Sequence, residues 1–117
     1  MREGLIGSEG RPGVGRPLMY GYMRVDAGRP DREVVWDERA LRVYAEAEGY
    51  RLAGIRYAED DGRLAELSLL VGEIARDGGG PVVVPSGAHL GRGAALRACV
   101  RAWVAAVTGN EPREVRA

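Results

Sequence analysis

Tyr20-Gly21-Tyr22-Met23-Arg24-Val25-Asp26 is an aromatic and apolar run that carries one guanidinium in its middle and stops on a carboxylate. Aromatic and β-branched side chains suit a pleated, buried surface, so Leu18–Val25 reads as a strand. Its polar end then lies at the carboxyl edge of whatever sheet it joins. Side chains alternate along a strand, so Arg24 shares a face with Asp26. The turn Ala27-Gly28-Arg29-Pro30 follows at once.

Working outward, residues 31–48 read as a helix. Asp31 is placed to cap it, Glu33 suits its positive N-terminal end, and Gly49 suits a left-handed stop. Val34, Leu41, Ala45 and Glu48 make a narrow stripe, with Ala40 and Tyr44 beside it, so one face should meet solvent. Residues 50–57 read as a second strand, closed by Glu59-Asp60-Asp61-Gly62. Residues 63–76 give the clearest helix, with Leu64, Leu67, Leu70, Val71, Ile74 and Ala75 at helical spacing, and Gly78-Gly79-Gly80-Pro81 ends it. Val82-Val83-Val84 lacks alternation, as expected of a strand covered on both faces. After the loop 86–92 a last helix, 93–108, places Leu96, Cys99, Val100, Trp103, Val104 and Val107 on its core stripe. Glu114-Val115-Arg116 can begin a fourth strand.

Strand and helix thus alternate in units of about 30 residues, the size of one strand-plus-crossover unit. That pattern predicts an α/β fold: a three-layer parallel sheet with helices on both faces and right-handed crossovers. Ligands of such sheets bind beyond the carboxyl ends of the strands. Here that edge collects Asp26, the acidic run 59–61 and the loop 86–92.

Composition narrows the partners. The 117 residues suit one domain, and 17 basic residues balance 17 acidic ones, so long-range attraction to nucleic acid or anionic membrane is not a global property. Any phosphate binding must be local. All the basic residues are Arg, and there is no Phe, which fits the codon bias of a GC-rich genome. The single Cys99 excludes a disulfide framework or cysteine metal cluster and is expected as a buried thiol. Residues 1–17 mix Gly, Pro, Arg and Glu without periodicity and are expected as a disordered leader, with Met19 an alternative start; the domain is expected over residues 18–117. No signal peptide and no membrane span is legible, so a cytoplasmic protein is expected.

Tyr22-Met23-Arg24-Val25-Asp26 resembles the opening motif of the serine recombinases, the resolvase and invertase family, which reads Tyr, any residue, Arg, Val, Ser. The loop Ala88-His89-Leu90-Gly91-Arg92, after a Val-rich strand, resembles that family's later signature Asp-Arg-Leu-Gly-Arg. Asp60-Asp61-Gly62, followed by a Leu-rich helix, corresponds to the segment between. The resemblance covers residues 19–107 and implies a resolvase-like catalytic-domain fold and DNA recombination chemistry. In the family the motif serine attacks a DNA phosphodiester while arginines hold the nonbridging oxygens of an anionic transition state. Here Asp26 stands at the nucleophile position and Ala88-His89 replaces the Asp-Arg pair, so no catalytic set is intact. Arg24 and Arg92 match phosphate-binding positions, and Arg63 and His89 are further candidates. A domain without the family's dimerisation helix and helix-turn-helix reader is expected. The expectation is therefore a catalytically inactive domain without a cofactor, whose partners are the DNA phosphate backbone, a partner recombinase or a second copy of itself.

Other readings stay open on the residues alone. Asp26 can be an aspartyl nucleophile or, with Asp60 and Asp61, a magnesium ligand of a phosphotransfer or nuclease enzyme; it can equally cap its turn or pair with Arg24. His89 can donate to phosphate or simply be solvated in its loop. Ser86 offers a substitute hydroxyl with no evident base. Trp36 lies off the stripe of its helix and can mark an exposed contact patch, whereas Trp103 is expected in the core.

Overall fold

The structure is a computed structural model that describes residues 15–59 and 64–116. Strand β1 (Leu18–Val25) leads into helix α1 (Asp31–Ala47), then β2 (Arg51–Glu59), α2 (Ala65–Arg76), β3 (Val82–Ser86), a 3-10 turn (Gly87–His89), α3 (Ala94–Thr108) and β4 (Arg113–Arg116). The strands form one all-parallel sheet in the order β2-β1-β3-β4. β1 pairs with β2 along its whole length, from Leu18 opposite Arg51 to Val25 opposite Glu59, with one irregularity between Met19 and Tyr20. The expected fourth strand is present and lies beside β3, Val84 opposite Glu114 and Ser86 opposite Arg116.

Alternation along β1 and β3 sorts the core into two layers. Met19, Met23 and Val83 face α1 and pack on Leu41 and Ala45. Tyr22, Val82 and Val84 face the other way, onto Leu67, Leu70, Val71 and Ile74 of α2 and Val100 and Val104 of α3. All three valines of β3 are fully buried, as a strand covered on both faces requires. Gly21 lets α1 come close: a Cβ there would lie 2.9 Å from Ile55 Cγ1 and 3.2 Å from Leu41 Cδ1.

Three local expectations are corrected. Asp31 does not cap α1; Pro30 holds the cap position, its φ of −62° and ψ of 140° already suited to it, and its carbonyl accepts from Glu33 N at 3.1 Å. Cys99 is exposed, not buried. The same rotation of α3 leaves Leu96 and Val107 exposed and Trp103 half-buried, and turns Val100, Val104 and Thr108 inward. The buried stripe is narrower than the apolar one, a single residue per turn, and the arginines beside it take partners. Arg97 Nε donates to the Gly91 carbonyl at 2.9 Å, and Arg101 bridges Glu114 of β4 at 2.5 Å and Glu111 at 3.1 Å. These contacts are compatible with the rotation that the packing of Val100 and Val104 on the core sets.

Among the described residues no helix is long and apolar enough to cross a membrane. The leader expected over residues 1–17 lies outside the described residues up to residue 14; Pro17 is within them, and its carbonyl accepts from Arg51 N at 2.9 Å.

Candidate anion-binding cleft

The order β2-β1-β3-β4 reverses direction between β1 and β3, and a crevice opens where neighbouring crossovers lie on opposite faces. At the carboxyl ends of those two strands is a cleft of about 360 Å³, lined from β1 and its turn by Arg24, Asp26 and Arg29, from the last residue of β3 by Ser86, and beyond it by Ala88, His89 and Arg92. Arg116, at the end of β4, completes the wall. The fold thus brings together Arg24, Asp26, His89 and Arg92, four residues marked by sequence. Arg63, Asp60 and Asp61 lie outside the described residues.

His89 is not a solvated loop residue. It is 6% exposed, and its Nδ1 accepts the backbone N–H of Arg24 at 2.9 Å, joining the end of β1 to the turn after β3. The ring proton therefore resides on Nε2, which faces Asp37 Oδ2 at 3.9 Å. Burial, and next the charge of Arg29, push the imidazole down to about 4, against the opposing pull of Asp37. The ring is neutral at physiological pH and acts as a strap between strands.

Beneath the cleft is a carboxylate that sequence reading missed. Asp37, in the middle of α1, is 4% exposed, and both of its oxygens are used. Oδ2 accepts from Arg29 Nη2, and Oδ1 accepts from Arg116 Nη2 at 3.0 Å. Arg29 also reaches the Arg24 carbonyl through Nη1 at 3.4 Å, and its Nε lies 3.6 Å from Glu33 Oε1. One signal was available: Asp37 falls three residues after Val34 and four before Leu41, inside the apolar stripe. An acid in that position must find cationic partners or carry a large desolvation cost.

Asp26 is exposed at the tip of β1 and also lines a second, larger cleft with Val25, Val34, Tyr57, Ala58 and Glu59. Among the described residues no group of three or more His, Cys, Asp or Glu side chains is arranged to hold a metal ion. What the main cleft offers chemically is guanidinium N–H groups, the Ser86 hydroxyl and one exposed carboxylate, and its guanidiniums suit an anion.

This all-parallel, four-stranded sheet flanked by helices is the fold of a serine recombinase catalytic domain. The chain is similar to the N-terminal catalytic domain of TP901-1 integrase, with a TM-score of 0.59 and 22% identity, over 74% of this chain and 68% of that one. No family model and no curated protein matches the sequence.

Proposed function

We propose that this chain is a recombinase-like domain that engages the DNA phosphate backbone through the switch-point cleft and does not cleave it. The observation that carries the reading is the convergence of Arg24, Arg29, Arg92 and Arg116 on one cleft whose strand-tip residue is Asp26. Several guanidiniums on one edge suit phosphate oxygens, which they bind by forked hydrogen bonds. Strand cleavage asks for more: an uncharged oxygen nucleophile and donors aimed at a strongly anionic transition state. Asp26 supplies like charge at that point, and Ala88 supplies no polar group at all. Ser86 brings a hydroxyl to the same wall, but the nearest imidazole, His89, spends its Nδ1 lone pair on Arg24 N and has no free acceptor to serve as a base.

Two measurements test this. Incubation with supercoiled plasmid should yield neither nicked circles nor a protein–DNA adduct that survives detergent, and such an adduct would restore catalysis. Retention of a short duplex should be clear at low salt and fall steeply as salt rises; a duplex that passes unretained at low salt removes the backbone reading.

A further inference from the structure

We propose that Arg29 and Arg116 form a two-guanidinium anion site, held at the cleft by Asp37, that takes the nonbridging oxygens of one phosphodiester. The inference deepens the backbone-binding reading and rests on it. Neither arginine lies in the motifs that resemble the recombinases, and the two approach from different elements, the turn after β1 and the end of β4.

A buried carboxylate that merely needs neutralising needs one cation; Asp37 has two, one on each oxygen. Sharing leaves Arg116 only partly compensated, whereas Arg29 has the exposed Glu33 carboxylate at 3.6 Å as well. The Arg116 side chain is 53% exposed and, among the described residues, uses one of its five N–H groups on Asp37. The bland alternative is that Arg116 staples β4 to α1. That task has another bearer: Arg113 of β4 reaches Glu48, just past the end of α1, at 3.4 Å and the Tyr50 hydroxyl at 3.1 Å, while Arg101 of α3 holds the other side of β4 through Glu114 at 2.5 Å. None of those anchors lines the cleft, whereas Arg116 does. Asp37 touches no ligand in this scheme. It is a positioning residue, fixing the plane and spacing of two donors as a carboxylate does for a forked partner.

The sign of one substitution separates positioning from bulk charge. Asp37→Asn makes the chain more positive, so charge alone would tighten duplex binding; loss of positioning instead weakens it. We expect weaker binding, with a shallower dependence of log affinity on log salt. Arg116→Gln should lower that slope by about 0.9, the value of one phosphate contact, and weaken binding roughly tenfold at low salt. A wild-type slope in Arg116→Gln, or tighter binding by Asp37→Asn, overturns the proposal, and circular dichroism checks that both variants keep the fold. A readout without substitution stands beside these: inorganic phosphate at millimolar concentration should shift the Nε–Hε NMR signals of Arg29 and Arg116. If both signals move while the wild-type chain ignores duplex, the anion site stands and the backbone reading falls. If duplex binds while neither signal moves with phosphate, the site falls and the backbone reading stands.

Discussion

Asp26 and Asp37 are carboxylates of opposite consequence. Asp37 is buried between two guanidiniums, while Asp26 is exposed and, on the proposed backbone binding, would repel an incoming anion. Asp26→Asn should therefore bind duplex about three- to tenfold more tightly at low ionic strength, a gain that shrinks with salt because an exposed charge is screened. Neither that variant nor Asp26→Ser should cut plasmid, since Ala88 still replaces a polar side chain on the facing loop. An unchanged affinity in Asp26→Asn at low salt would show that the carboxylate does not face the bound phosphate. Arg24, Asp26 and Arg92 were legible because strand ends and the loop after β3 must meet at one sheet edge, whatever the detailed packing. Arg29, Arg116 and the burial of His89 were not. Their partners are set by tertiary structure, Asp37 lying 79 residues from Arg116 and the acceptor of the Arg24 N–H lying 65 residues along the chain.

At the scale of elements, the strands of this chain declared themselves more clearly than the faces of its helices. β1 and β3 are apolar on both sides and could only be central, and Gly21 in β1 marks the close approach of α1. Gly21→Ala would force a methyl to within 2.9 Å of Ile55 Cγ1 and 3.1 Å of the Gly54 carbonyl. The backbone oxygen cannot swing aside, so a loss of about 1–3 kcal/mol is expected in urea unfolding, the usual range for an overpacked core. α3 taught the reverse lesson. The buried face in its rotation is narrow, Val100, Val104 and Thr108 at four-residue spacing, so Leu96, Cys99 and Val107 of the broader apolar stripe fall outside it. Cys99 reports on that rotation directly. A thiol reagent should modify it fully in the native protein within minutes, whereas the buried thiol expected from sequence would react only on unfolding.

At the scale of the whole molecule, the cleft joins β1, α1, the turn after β3 and β4, and His89 is where its electrostatics meets its stability. It is the single histidine of the sequence, so it is the one side chain whose ordinary pKa lies between pH 5 and 7 when cysteine and carboxylates are set aside. Folding lowers it to about 4, through burial first and the Arg29 charge second, while Asp37 and Asp26 pull the other way and Arg116 adds to the lowering. A histidine with a depressed native pKa takes up its proton in the unfolded chain first. The unfolded state then binds more protons across the window, and stability rises with pH there. Full stability should hold above about pH 6.5, the unfolded value, and decline as pH falls toward the native value of about 4. Between pH 6.5 and 5, where exposed carboxylates are still ionised, the loss should reach about 2 kcal/mol, since each unit of pKa difference is worth about 1.4 kcal/mol. Urea denaturation at half-unit steps reads this as a falling midpoint with constant slope. His89→Asn keeps an acceptor for the Arg24 N–H but cannot titrate, so its midpoint should stay level across the window. A wild-type midpoint that is equally level would mean that the imidazole is not held neutral between the strands, and the strap that closes this end of the sheet would lose its electrostatic basis.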